Sequence, residues 1–267
     1  METTQAPEPK LSATVLLVRD RDNLEVLMVR RHYQIDFASG ALVFPGGKAA
    51  DDDARDGWKD LIDGSADDDQ RIARIAAVRE AFEESGILLA RNINDRGPEA
   101  PLVGADIAEK LAPNRAAVDK GEISFLELIR DNGLVLALDT LIHFGHWITP
   151  TMMPKRFDTH FYLAPAPPAQ LASHDGRETT DTMWLNPNTA LDMEAAGDAN
   201  IIFPTRMNLR KLGTANNVSE SVSQFSVEPI VTVLPEVGKS PDGAPCLHIP
   251  EVPGYGQTLE LLERVKV

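Results

Sequence analysis

Cysteine is almost missing from this chain of 267 residues: Cys246 stands alone. That rules out an intrachain disulfide and a cysteine-rich zinc site, and it fits a reducing cytoplasm. Basic residues are scarce as well. Lys and Arg number 26 against 41 Asp and Glu, a net charge of −15, so no general affinity for nucleic acid or for an anionic membrane is expected, and any phosphate must be received locally. Long apolar runs are also missing. The most apolar stretch, "GLVLALDTLIHFGHWI", is broken by Asp139, His143 and His146, and the opening "METTQAPEPK" lacks the charged-then-apolar pattern of a secretion signal. The expectation is a soluble cytoplasmic protein, with a homodimer compatible with the sequence.

What is present suffices for a real core, since 43% of the residues are hydrophobic. After a disordered tail at 1–10, "SATVLLVRD" and "LEVLMVRR" read as paired strands, and "ALVFPGG" as a short third strand running into a turn. The acidic segment "DDDARDGWKDLIDGSADDD" reads as a surface loop with at most one helical turn. A helix then runs from about Asp69 to Gly86, whose missing Cβ suits a C-terminal cap, and "ILLA" resumes a strand. Helical patterns at about 100–132 form an insertion, and strand signals return in "LALDTLIHFGHWITP", "RFDTHFYLA" and "TTDTMWLNP". An extension over about 186–267 offers two helices, "NPNTALDMEAAG" and "FPTRMNLRKLG", and a proline-rich end that wraps over the main body. Strands, one acidic helix, inserted helices and more strands make an α+β chain, read as one domain over 11–267.

The acidic helix raises the functional question. At about 100° per residue, with Glu80 at zero, Glu84 falls near +40° and Glu83 near −60°, while Ile75, Val78 and Phe82 gather at roughly 160–220°. The acids therefore share one face. A solvated helix face is the bland account. Like charges four residues apart nevertheless repel, and a bound divalent cation would neutralise them.

A phosphate-cradling P-loop is not the answer. "FPGGK" would need a glycine where Leu42 stands and a Ser or Thr where Ala49 stands. The run "REAFEESGI", Arg79 to Ile87, instead resembles the second half of the Nudix box, G-x5-E-x7-R-E-U-x-E-E-x-G-U with U aliphatic. "GGKAADDD" resembles the first half, with Gly47 at the box glycine and Asp53 where the family usually has Glu. The usual spacing would put the arginine at 61, whereas it stands at 79, an insertion of 18 residues. A split box between "VFPGG" and "GILLAR" resembles the branch of the peroxisomal coenzyme A diphosphatase, as do "HWITP", "RFDTHFYLA", "ETTDTMWLNP" and "FPTRMNL". A coenzyme A signature of a related branch is matched at Leu27, Arg31, Gly40 and "FPGG", with Val29 and Asp36 departing from it. The end, "VKV", is not an S-K-L-like peroxisomal address.

The resemblance implies the Nudix fold, an α/β/α sandwich around a mixed sheet, and metal-dependent hydrolysis of a diphosphate in a nucleotide-linked small molecule such as coenzyme A or acyl-CoA. An ADP-ribose or dinucleotide pyrophosphatase and a non-catalytic nucleotide sensor are the rivals. It implies Mg²⁺ or Mn²⁺ on Glu80 and Glu84, with Glu83 completing the cluster and the Gly47 carbonyl as a further ligand. Arg79 would orient a glutamate, and Asp53 would pair with Arg79. Because the general base varies between branches of the family, Glu178, just before a predicted strand, is a candidate for it.

For the substrate, Arg30, Arg31 and Arg156 are candidates to receive phosphates, and Tyr33, Phe44 and Trp147 to stack a base. Ordinary surface or core is the competing account for each. His143 and His146, three apart in a strand-like run, should point to opposite faces, so no zinc pair is expected of them.

Overall fold

In the computed structural model, residues 6–32, 40–64, 68–175 and 178–265 are described. Tyr33 and Asp36 lie outside them. Strands β1 (Lys10–Asp20), β2 (Leu24–Arg31), β3 (Leu42–Val43), β4 (Gly46–Lys48) and β5 (Ile62–Asp63) precede helix α1 (Asp68–Ser85). Strand β6 (Ala90–Asn92), helices α2 (Ala105–Leu111), α3 (Arg115–Asp119) and α4 (Phe125–Asp131), and strands β7 (Leu134–Ala137), β8 (Ile142–Ile148), β9 (Phe157–Pro165) and β10 (Thr179–Leu185) follow. Last come α5 (Pro187–Ala196), α6 (Phe203–Leu212), α7 (Val218–Phe225), β11 (Thr232–Val233), β12 (Glu236–Lys239), β13 (Pro245–His248) and β14 (Leu259–Leu261).

The main sheet is mixed, in the order β10-β2-β1-β9-β8-β11, with β3 on β2 and β4 on β1. β1 runs parallel to β9 and antiparallel to β2 and β4. Its near-continuous apolar sequence follows from burial on both faces. Ala13, Val15 and Leu17 join α1 and α4 in one core; Leu16 and Val18 join α6 and α7 in another. The sheet thus lies between helical layers, as the resemblance implied. Helix α1 can lie flat on it because Ala73, Ala76, Ala77 and Ala81 offer little bulk and high helix propensity. Gly86 ends it at φ +75°, donating its N–H to the Phe82 carbonyl at 2.9 Å, the left-handed cap expected of that residue.

Four expectations change. Over 51–64 the acidic segment is more than a surface loop: it forms short 3₁₀ turns at Asp51–Ala54 and Asp56–Asp60 whose Trp58 and Asp53 are fully buried, while Asp51, Asp56 and Asp60 stay exposed. Trp58 packs 5.7 Å from the Phe125 ring and donates its indole N–H to the Asp52 carbonyl at 2.8 Å. Charge density along the segment concealed one large anchor. The run 134–148 is two strands, since β7 pairs with β5 and β6 in a separate three-stranded sheet before a turn leads into β8.

Within β8 a bulge between His143 and Gly145 shifts the register. One extra residue restores the phase. The side chains of His143 and His146 therefore share a face, with ring centroids 6.5 Å apart, contrary to simple alternation. A third helix of the extension, α7, was not expected, although Asn217 caps it by accepting the Glu220 N–H at 2.8 Å, an Asn-x-x-Glu pattern readable in advance.

Replacing Trp58 by Ala should lower stability by about 3–5 kcal/mol, read from urea unfolding. A surface-loop residue would give a change within ~0.5 kcal/mol, and that result would contradict the burial described here.

Candidate active site

Helix α1 delivers Arg79, Glu80, Glu83 and Glu84 within about one and a half turns, and none of them faces bulk water. Their exposures are 7, 8, 5 and 4%, so the solvated-face account fails. Strand β4 closes over them because β1 holds it: Ala13 pairs with Gly47 and Thr14 with Gly46. The Gly46 N–H donates to Glu84 Oε2 at 2.9 Å. At Gly47 a Cβ would stand 2.5 Å from Glu80 Oε1 and 2.6 Å from its Cδ. Glycine leaves room there for the Glu80 carboxylate, which any Cβ would displace.

Arg79 is the hub. Its Nε donates to Asp53 Oδ1 at 2.9 Å, Nη2 to Asp53 Oδ2 at 3.0 Å and to the Lys48 carbonyl at 2.7 Å, and Nη1 to Glu80 Oε1 at 2.9 Å and Glu83 Oε2 at 3.0 Å. Those five contacts use the full donor capacity of a guanidinium. Arg79 has nothing left for a substrate. The shorter reach of Asp53 is made up by its turn, in which Ala50 N–H donates to Asp53 Oδ2 at 2.8 Å.

Negative charge outnumbers positive around Arg79, and the imbalance appears in the proton affinities of the three glutamates. Burial, with Asp53 and Glu178 beside it, raises Glu80 despite Arg79. Burial pushes Glu83 up to about 8, with Glu80 and Asp119 adding to the push against Arg79. Glu84 is raised well above the ordinary carboxylate range, by burial first and then by Glu80, while the Gly46 N–H and Arg31 oppose the shift. Arg79 is itself held well above its ordinary value: burial works against its charge, but Glu80, Asp53 and Glu83 outweigh it.

Such a set of hard, buried, mutually repelling oxygen donors fits a divalent cation of the Mg²⁺ or Mn²⁺ type. In the arrangement described, Glu80 and Glu83 are turned onto Arg79, and Glu84 onto Gly46.

Glu178 and Arg31 are brought to the same place. Strand β10 pairs Thr179 with Arg31, and the Glu178 carbonyl accepts the His32 N–H at 2.8 Å. Arg31 reaches Glu84 electrostatically, and its buried Nε meets no hydrogen-bond partner among the described residues. The other substrate candidates go elsewhere. Phe44 is buried in the second core, as is Trp147, whose indole donates to the Tyr255 hydroxyl at 2.8 Å. Arg156 is taken up by the Thr149 and Pro7 carbonyls at 3.0 and 2.8 Å. Arg30 alternates to the face opposite Arg31.

The sequence reading missed Arg115. It donates to the Glu83 carbonyl at 3.0 Å and the Ser173 carbonyl at 2.9 Å, tying the end of α1 to the segment before Glu178. Nothing in "NRAAVD" marks it.

A family model described as the NUDT19 Nudix domain matches residues 63–212, which leaves Gly47 and Asp53 outside its span. The chain is 25% identical over 259 residues to the acyl-coenzyme A diphosphatase NUDT19 of Xenopus laevis, covering 82% of this chain and 68% of that protein. It is 30% identical over 189 residues to nudix hydrolase 7 of Caenorhabditis elegans, covering 70% of this chain and 55% of that one. It therefore spans little more than half of the nematode relative. A NUDIX hydrolase crystal structure from Alicyclobacillus acidocaldarius superposes with a TM-score of 0.69 at 28% identity, covering 83% of this chain and all but 1% of the other.

The raised carboxylates set a pH dependence of stability. Between the ordinary value of 4.5 and about 8, the unfolded chain has released the Glu83 proton while the folded chain retains it. Folding is therefore disfavoured progressively as pH rises through that window. Burial holds His143 near 4, which pulls the other way from there to its ordinary 6.5, so the useful quantity is a difference. Relative to wild type, Glu83→Gln in chelator should gain stability from pH 5 to pH 8, by on the order of a few kcal/mol. A pH-independent difference in urea midpoints would contradict the assignment.

Proposed function

The chain belongs to the Nudix hydrolase family, in its NUDT19 branch, and from that premise we propose that it hydrolyses the diphosphate linkage of a coenzyme A-type compound with divalent cations held by Glu80, Glu83 and Glu84. The observation that carries this reading is the buried carboxylate set on Arg79, closed by the Gly46–Gly47 strand and unbalanced in charge. Support for the substrate class comes from the relatives named as acyl-coenzyme A diphosphatases and from Leu27, Arg31, Gly40 and "FPGG". A single cysteine supports a reducing setting such as the cytoplasm. Among the described residues no helix is long and apolar enough to cross a membrane.

A Mg²⁺ or Mn²⁺ ion bound there would supply Lewis acidity, making an attacking water more acidic and neutralising phosphate oxygens. Glu80 and Glu84 would be its principal ligands, with Glu83 and the Gly47 carbonyl completing the set. Arg79 positions Glu80 and Glu83 and touches no substrate. Arg31, whose Nε meets no hydrogen-bond partner among the described residues, is the candidate to receive a phosphate oxygen. Glu178, in electrostatic reach of Glu80 and Glu84, takes the proton of the water as its oxygen attacks phosphorus and the bridging P–O bond breaks. Residues 11–267 act as one unit in this reading, with α2–α4 as an insertion.

With Mg²⁺ or Mn²⁺, coenzyme A should yield 3′,5′-ADP and phosphopantetheine. Glu84→Gln and Gly47→Ala should each lower kcat by at least roughly 10²-fold, the second by displacing the Glu80 carboxylate. Near-normal turnover by Glu84→Gln would refute the metal assignment. Faster release of AMP and ribose phosphate from ADP-ribose would move the substrate to that class, and tight binding without hydrolysis would make the chain a sensor.

A further inference from the structure

Far along α1 from the glutamates, three side chains converge for which the hydrolytic reading has no use. We propose that His146, Asp158 and His160 form a second cation site, for a borderline divalent ion of zinc's class. Strands β8 and β9 place them: His146 is the cross-strand partner of His160 on one face, and Asp158, two residues before His160, shares that face. One potential ligand atom from each of the three lies within 4.8 Å of the others, and among the described residues this is the group that does so.

The two rings are stacked, with centroids 4.3 Å apart and planes 8° from parallel, so ligation turns one of them about its χ2 bond while each Nε2 stays on the Asp158 side. His146 Nε2 lies 2.5 Å and His160 Nε2 4.0 Å from the same oxygen, Asp158 Oδ1. The other nitrogen of each ring is engaged elsewhere. His146 Nδ1 is 2.8 Å from Thr232 Oγ1 of β11, and His160 Nδ1 is 3.1 Å from His143 Nε2 and 3.3 Å from Gln70 Nε2. Gln70 is fixed in turn by the Tyr162 hydroxyl at 2.9 Å. Outer partners that hold each imidazole while its far nitrogen faces a shared point are the usual support of a metal site.

Bonds of 2.0–2.1 Å set tetrahedral donors roughly 3.3 Å apart, and the separations of 2.5 and 4.0 Å bracket that spacing. The ion takes the place of the proton between His146 and Asp158. Two imidazoles and one carboxylate favour zinc over magnesium. Side-chain exposures of 16, 32 and 11% for His146, Asp158 and His160 leave room for a water in the fourth position. The bulge in β8 brings His143 to this face. Gln70 is ten residues before Glu80, so the two sites stand about 15 Å apart along the helix.

The test uses the full chain, stripped of metal, with Glu84→Gln included so that the glutamates contribute little. Zn²⁺ binding is measured by competition with a chromophoric chelator at pH 7.5, and Co²⁺ serves as a spectroscopic probe. The expected result is one Zn²⁺ per chain and the intense visible absorption of four- or five-coordinate Co²⁺. Adding His160→Gln or His146→Gln should abolish both, and Thr232→Val should weaken Zn²⁺ roughly 10–100-fold. If a histidine variant does not fold, Asp158→Asn must show the same loss. The proposal is overturned if Glu84→Gln binds no Zn²⁺ at micromolar metal, or if the added variants bind it as tightly as Glu84→Gln alone. Neither outcome touches the hydrolytic reading, which rests on other residues.

Discussion

The contact between Arg79 and the carboxylates around it governs the rest of the structure. A guanidinium buried with Asp53, Glu80 and Glu83 cannot turn to water if one partner leaves, and unpaired buried charge costs several kcal/mol. The 3₁₀ turn carrying Asp53, the β4 backbone at Lys48 and the exposed-looking half of α1 are therefore fixed relative to one another by a single side chain. That rigidity serves the neighbours of Arg79. Because its donors are saturated, Glu80 and Glu83 are aimed in advance, and Glu84, which accepts the Gly46 N–H and feels Arg31 from further off, keeps a raised proton affinity that a cation would relieve.

Much of the candidate site was legible because its logic is local. The box constrains five of the six residues from Arg79 to Glu84, all on consecutive turns of α1, and helical geometry alone puts three acids on one side. Gly86 was legible for the same reason, since a cap is a property of the last turn. Glu178, suggested by its position just before a predicted strand, is set beside Arg31 by the pairing of β10 with β2.

What escaped the sequence depends on long-range packing or on a change of phase. Phe44 and Trp147 look like stacking platforms in a string of letters, but the sheet turns both into the second core, where Trp147 meets Tyr255 across more than a hundred residues. Arg115 reaches Glu83 from an inserted helix that carries no motif. In the acidic segment, counting charges hid Trp58, and one partner, Arg79, turned Asp53 from a surface acid into a buried one. The histidines of β8 were misassigned because a period of two holds only for unbroken pairing, and the bulge before Gly145 adds a residue.

The interruption of the box has a further meaning. Its two halves meet through Asp53 and Arg79 whatever lies between them, and the intervening chain is secured on its way back, where β5 pairs with β7 and Asp63 receives Arg91. Closing a longer loop adds only about 0.6 kcal/mol per doubling of its length. Linear spacing is thus a poor yardstick for membership in this group: a search keyed to fixed intervals would discard chains whose spatial arrangement is intact, and a grafted peptide or reporter between the halves has room to be tolerated.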